Sequence, residues 1–231
     1  MVKIFALLVK TFLIFTLWII FILTVFRFIN PASSAFMYSY VDNSLSSLFN
    51  SEDIKYNPVP IDKVSLYVPL AVIASEDQRF FEHFGFDFIQ IEKAMKENEH
   101  KKRIRGASTI TMQAAKNLFL FPSKIFFRKA MEAYYTLLIE LIWSKKRILE
   151  VYINIAEMGK GIYGIQSASK IYYKKNPAKL TKLEAATIAS ILPNPRKRNP
   201  VKPSNYLLYR RNKIMEQMDL IGGISFIKNN L

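Results

Sequence analysis

The pattern of apolar and polar positions divides the chain into an apolar head, a mixed stretch and a helical body. From Ile4 to Phe26, IFALLVKTFLIFTLWIIFILTVF carries Lys10 as its one charge, and Thr11–Phe26 is uncharged throughout. With Lys10 reaching toward the interface, a helix here is long enough to cross a bilayer, which needs about 20 apolar residues. Lys3 and Lys10 precede the long apolar run and favour a cytoplasmic amino terminus, although Arg27 beyond it weakens the asymmetry. The bulk of the chain is then expected outside the cytoplasm. The competing reading is a cleaved signal peptide, because PASSA at Pro31–Ala35 supplies small residues. The apolar core is longer than a signal peptide needs, so an anchor over residues 1–29 is preferred.

Residues 30–60 mix Ser, Asn, Pro and scattered hydrophobes without sustained period, and YNPVP at the end blocks helix continuation. This stretch reads as a linker with room for one short helix. A single domain is expected over residues 61–231. Ser108 can cap a helix through Leu118, Ser123 one through Trp143 and Ser144 one through Ala156. TKLE at Thr181–Glu184 has capping-box spacing before AATIASIL, and a last helix over Tyr206–Leu220 should stop at Gly222–Gly223. Strand-like alternation is scarce. The predicted class is mainly α.

Composition narrows the chemistry. The chain has no cysteine, which removes disulfides, thiolate nucleophiles and thiolate zinc sites together, and its two histidines, His83 and His100, leave little for an imidazole metal site. A balance of 33 Lys+Arg against 18 Asp+Glu, net +15, calls for an anionic partner: nucleic acid, lipid headgroups or a phosphorylated substrate.

Three stretches could carry chemistry. In STITMQAAKN, read as a helix, Thr109, Met112, Gln113 and Lys116 share one face, and Ile110, Ala114 and Leu118 another. Taken alone, the first is a solvated face with one lysine. The next helix places Lys124, Arg128 and Glu132 at i, i+4 and i+8, with Lys129 adjacent. Its bland reading is a helix-stabilising pair worth a few tenths of a kcal/mol; its functional reading is a cationic wall beside a carboxylate, suited to phosphate. In VIASEDQRFFEHFGFDF, Glu76 and Asp77 run into phenylalanines. Rings beside a carboxylate would desolvate it, disfavour its charged form and make it a usable proton acceptor or donor, while also offering lipid a greasy surface. GKGIYG at Gly159–Gly164 matches a nucleotide-binding glycine pattern by letter, but it follows a helical stretch instead of a strand. Tight turning or close backbone approach explains its glycines better.

Taken together, these stretches resemble the peptidoglycan glycosyltransferases of family 51. EDQRFFEHFG fits E-D-x-x-F-x-x-H-x-G, GASTITMQAAKN fits G-x-S-T-I-x-Q-Q-x-x-K-N and RKAME fits R-K-x-x-E; KKRILEVYINIAEMGKGIYGIQSAS fits the following K-x-x-I-L-x-x-Y-x-N and G-x-x-G elements. The resemblance runs from about Ile61 to the carboxyl end. It implies a lysozyme-like two-lobed domain behind one membrane helix, in the monofunctional form, with its catalytic side periplasmic on a bacterial inner membrane. The implied substrates are lipid II and the nascent glycan chain. Glu76 would be the general base on the acceptor 4-hydroxyl, and attack would form a β-1,4 bond with inversion and expel undecaprenyl pyrophosphate. Lys116, Arg128 and Lys129 would stabilise that leaving group, and Glu132 would position the donor or a divalent metal. Asp77, His83, Ser108, Thr109, Gln113 and Asn117 would shape the cleft, with Lys124 also on the substrate side. The resemblance allows Mg or Mn, with no metal ligand assigned, and allows contact with other cell wall synthesis or division proteins. It implies no organic cofactor and no nucleic acid.

Two positions depart from the pattern. Met112 stands where the family usually has the first glutamine of Q-Q, and Lys124 where many members carry arginine, which gives up the bidentate fork. Two other readings compete. A lysozyme-like lytic enzyme would also use carboxylates on glycan but has no need of the Lys116–Arg128–Lys129 wall. A non-catalytic protein binding anionic lipid or nucleic acid would have cations without placed carboxylates.

Overall fold

The structure, a computed structural model, describes residues 2–40, 54–99, 106–122 and 126–231. The first helix, α1, spans Val2–Phe26, and among the described residues it is the one helix long and apolar enough to cross a membrane. Its three threonines return their hydroxyls to carbonyls four residues back, so those hydroxyls are satisfied within the helix. The amino-terminal part of α1 is exposed, whereas Ile19 and Leu23 near its end are buried. A short helix, α2 (Ala35–Tyr40), follows. Residues 41–53, with His100 and the predicted cap Ser123, lie outside the described residues.

The body is mainly α, as predicted. It contains α3 (Tyr67–Glu76), α4 (Phe88–Glu99), α5 (Ile110–Phe119), α6 (Phe126–Ile142), α7 (Lys145–Ile155), α8 (Ile165–Tyr173), α9 (Lys182–Ile191), α10 (Asn205–Leu220) and α11 (Gly223–Asn230). Two packing groups share one core. In one, α3 lies against α9, α10 and α11; in the other, α5 lies between α6 and α7, with α1 on α6 and α2 on α5. α7 touches both groups and joins them. α4 projects, burying little besides Ala94.

Several ends follow the sequence. Ser144 caps α7 by accepting from Arg147 N–H, and the Thr181–Glu184 capping box closes on α9. The cap of α5 is a correction: it is Thr109, whose side chain accepts from Met112 N–H, while the predicted Ser108 is exposed. Ser204 caps α10, and Gly222, at φ +103°, ends the turn after it. Beyond it, α11 is a helix that the glycine pair concealed.

Three short strands, β1 (Lys55–Tyr56), β2 (Glu157–Gly159) and β3 (Ile162–Tyr163), form a sheet in the order β1-β3-β2. β1 runs parallel to β3, pairing Lys55 with Ile162 and Tyr56 with Tyr163, and β2 is antiparallel to β3. GKGIYG is thus a hairpin. Gly164 sits at φ +79°, and a Cβ there would lie 2.4 Å from the Asn154 carbonyl oxygen, so close backbone approach requires glycine. The Asn154 side chain meanwhile accepts from Val59 N–H and donates to Val59 O, both at 2.9 Å, fastening the segment before α3 to α7.

Candidate active site

Two clusters of ionisable side chains meet where the two helical groups join. The first lies at the carboxyl end of α3, whose last residue is Glu76, with 12% of its side chain exposed. Glu76 Oε2 accepts from Gln113 Nε2 at 3.0 Å, and Oε1 accepts from Ser75 Oγ at 2.8 Å. Arg210 Nη2, on α10, stands 3.5 Å from Oε1. Gln113 is oriented in turn by Tyr152, whose phenol donates to its Oε1 at 3.0 Å. Burial, reinforced by the charges of Glu76 and Asp77, pushes the Tyr152 phenol well above its ordinary range, so it remains a neutral donor.

The rings that follow Glu76 in sequence pack elsewhere. Phe80 is fully buried, stands edge-on to Phe81 and His83, and carries Lys145 Nζ 4.7 Å above its face. Phe81 meets Phe226 of α11. The expected aromatic setting of Glu76 is therefore corrected: the contacts of its carboxylate are polar, and the rings stitch the loop after α3 to α7 and α11. The greasy surface does exist, with Phe84, Phe88 and Ile89 exposed.

Asp77 is a strut. It is buried, its Oδ2 accepts from the N–H of Ile110, the first residue of α5, at 3.0 Å, and His83 Nε2 lies 2.9 and 3.1 Å from its two oxygens. A carboxylate at a helix amino terminus is favourably placed, and this one joins the end of α3 to the start of α5. That junction sets Glu76 opposite Gln113. Thr109 adds a second tie by donating to Gly85 O at 2.6 Å; Gly85 is at φ +76°, where a Cβ would come 2.8 Å from Thr136. Asp87 lies close to Asp77 and His83, with one ligand-type atom from each within 4.8 Å of the others. Asp87 Oδ2 and His83 Nδ1 have no partner among the described residues. Arg79 already supplies positive charge there, 3.1 Å from Asp87 Oδ1, and a cation would compete with His83 and the Ile110 N–H for Asp77.

The second cluster lies along α5 and α6. Glu132 is buried, and its oxygens accept from Arg128 Nη1 at 3.0 Å and Lys129 Nζ at 2.5 Å. On α5, positions Ile110 to Leu118 are buried except for Gln113 and Lys116, so the solvated face expected of a lone helix is reduced to two residues. Met112, at the departing position, is buried. Lys116 feels both carboxylates: burial lowers its ammonium below the usual lysine range, with Glu132 and Glu76 opposing and Arg128 and Lys129 adding to the drop. Among the described residues its ammonium has no hydrogen-bond or ion-pair partner; its one direct contact is the Phe36 ring, 5.5 Å away.

A cleft of about 220 Å³ opens beside the first cluster, lined by Glu76, Asp77 and Ser108 and by Asp87, Gln90 and Lys93 from the α4 side. Of the predicted site residues, Glu76, Asp77, His83, Thr109 and Gln113 are thus tied together, and Lys116, Arg128, Lys129 and Glu132 form the adjoining cationic cluster. Ser108 lines the cleft, Asn117 is buried on α5, and Lys124 lies outside the described residues. Sequence reasoning assigned no role to Tyr152 or Arg210. Tyr152 occupies the tyrosine of K-x-x-I-L-x-x-Y-x-N and was legible there; Arg210 reaches Ser75 and Glu76 from far along the chain, with no local signal.

The chain is similar in sequence to known proteins. The transglycosylase family model matches residues 42–219. A biosynthetic peptidoglycan transglycosylase of Bacteroides thetaiotaomicron is 57% identical over 167 residues, covering 72% of this chain and 67% of that protein. Proteins of the same name from Marinomonas sp. and Escherichia coli are 45% and 50% identical, over 90% and 74% of this chain and 88% and 72% of their own lengths. The matched segment runs through both carboxylate clusters and every described cation around them, and the chain belongs to the transglycosylase family.

Proposed function

We propose that this chain is a peptidoglycan glycosyltransferase that lengthens glycan strands on lipid II in bacterial cell wall synthesis. The observation that carries the reading is Lys116: a desolvated ammonium within electrostatic reach of Glu132 and Glu76, with no described anion bound to it. A fixed cation left without a partner suits an anion supplied by substrate. Family membership and the relatives' shared name support the same activity.

In this reading Glu76 takes the proton from the 4-hydroxyl of the acceptor sugar. That oxygen forms a bond to the anomeric carbon of the growing chain as the bond to undecaprenyl pyrophosphate breaks, giving a β-1,4 link with inversion. Gln113 and Ser75 hold the carboxylate in place, and Tyr152 holds Gln113. Lys116, Arg128 and Lys129 offset the charge that develops on the pyrophosphate. Glu132 keeps Arg128 and Lys129 together on one face of α6. A divalent cation, which the family resemblance allows, does not fit at Glu132, because both oxygens already accept from cations and Lys116 lies within electrostatic reach.

The exposed Phe84, Phe88 and Ile89 and the apolar α1 suit a lipid-borne substrate at a membrane surface. We place the protein in the bacterial inner membrane with its catalytic side periplasmic; a phosphatase that works only outside the cytoplasm should be active when fused after Leu231, and an inactive fusion would reverse that orientation. The activity itself is tested by incubating the purified chain with labelled lipid II. Lysozyme-sensitive polymer is expected. No polymer, together with cleavage of preformed glycan, would support the lytic reading instead.

A further inference from the structure

Among the described residues the Lys116 ammonium has one direct contact, and it comes from the segment that follows the apolar helix. Arg147 on α7 gathers the end of α1: Nε donates to Phe26 O, Nη2 to Ile29 O and Nη1 to Asn30 Oδ1, each at 2.8 Å. Tyr56 donates to Pro31 O at 2.7 Å, and Ser34 accepts from Met37 N–H at 3.3 Å at the start of α2. Met37 is buried, and Tyr163 of β3 donates to Phe36 O at 3.3 Å. These contacts fix α2 on α5 and set the half-buried Phe36 ring 5.5 Å from Lys116 Nζ.

The chemistry of that contact is specific. An aromatic face attracts an ammonium through its quadrupole, and the attraction grows as the cation loses water. A carboxylate in the same place would accept hydrogen bonds from the ammonium and neutralise it. A ring retains the ammonium while leaving its N–H donors available to an incoming anion. Glu132 cannot substitute, because Arg128 and Lys129 occupy its oxygens, and Glu76 is held by Gln113 and Ser75.

We propose that Phe36 is a positioning residue for Lys116, holding its ammonium charged and unneutralised where the substrate's phosphate must arrive. The inference rests on the reading of Lys116 as a phosphate-facing cation. It makes α2, outside every motif quoted above, part of the reaction site, and it joins that site mechanically to the end of α1.

The test uses the full chain in detergent with labelled lipid II. Phe36→Leu keeps apolar bulk and removes the ring; Phe36→Tyr keeps the ring. Phe36→Leu should lower kcat/KM about tenfold with the melting temperature unchanged, and Phe36→Tyr should stay within about twofold of the parent. In a Lys116→Ala background, adding Phe36→Leu should change the residual rate by less than about twofold, because the ring then has nothing to hold. Should Phe36→Leu fail to fold, Phe36→Met takes its place in the same comparison. Equal losses from Phe36→Leu with and without Lys116 would reduce the ring to packing and overturn the proposal. A normal Phe36→Leu enzyme beside an impaired Lys116→Ala enzyme would overturn it alone, whereas a normal Lys116→Ala enzyme would overturn the reading of Lys116 itself.

Discussion

Glu76 and Glu132 are both largely buried, yet their surroundings differ in kind. Glu76 accepts from an amide and a hydroxyl, with one guanidinium at 3.5 Å, and it borders an open cleft. Glu132 is 2% exposed and gives one oxygen to Arg128 and the other to Lys129. In the proposed function, partners, more than burial, separate the roles of the two carboxylates. An acid held mainly by neutral donors, with one cation at longer range, keeps a lone pair for a proton in transit. An acid committed to two cations organises charge.

Glu76→Gln tests the contrast between the two carboxylates most directly. It keeps shape and one of the two accepting oxygens but removes the proton acceptor, so polymer formation should fall by about 100-fold or more while lipid II binding and the melting temperature stay near the parent. An active Glu76→Gln enzyme would leave the two carboxylates without distinct roles.

Glu132→Gln should behave differently, costing stability as well as rate. Removing one partner of a buried pair costs about 3–5 kcal/mol, and screening at Arg128 and Lys129, whose side chains are 25% and 49% exposed, reduces this toward roughly 2 kcal/mol. Denaturant titration and polymerisation on the same preparation would check both. Unchanged stability would show that the cation pair holds itself.

Asp77→Asn probes the strut between the two helical groups. It weakens the acceptor for the Ile110 N–H and for His83, so a loss of about 1–3 kcal/mol in stability is expected, with a smaller loss in rate than Glu76→Gln. A catalytic defect as deep as that of Glu76→Gln, in a stable protein, would move Asp77 into the chemistry.

The smallest effect is a shift in pH. Burial holds the Lys116 ammonium below the usual lysine range, so kcat/KM should decline as pH rises through that lowered value, before a free lysine near pH 10.4 would titrate. In that window the unfolded chain binds the extra proton, so this group makes the fold more stable as pH rises, and the decline is not unfolding. Lys116→Arg should move the basic limb upward by keeping the charge.

Much of the candidate site was legible one helix at a time. Gln113 and Lys116 share a helix face by spacing alone, and Arg128, Lys129 and Glu132 meet because residues three and four apart are neighbours on a helix. The glycines of GKGIYG announced close approach, and Asn154 and Gly164 supply it. The aromatic setting of Glu76 was misread because neighbours in sequence point different ways once α3 ends: Asp77 turns inward at the cap, and Phe80 and Phe81 follow the loop toward α7 and α11.

What is local was legible from residue order: an apolar helix long enough for a bilayer, the caps of α7 and α9, and the ionisable side chains of α5 and α6 placed by helical period. Only the tertiary structure decided what those side chains face. Glu76 meets Gln113 through the Asp77 strut, Arg210 arrives from α10, and Phe36 reaches Lys116 because Arg147 and Tyr56 hold the segment before it. The physical reason is range. Periodicity and capping act within a few residues along the chain, whereas desolvation and ion pairing depend on which surfaces the core brings together.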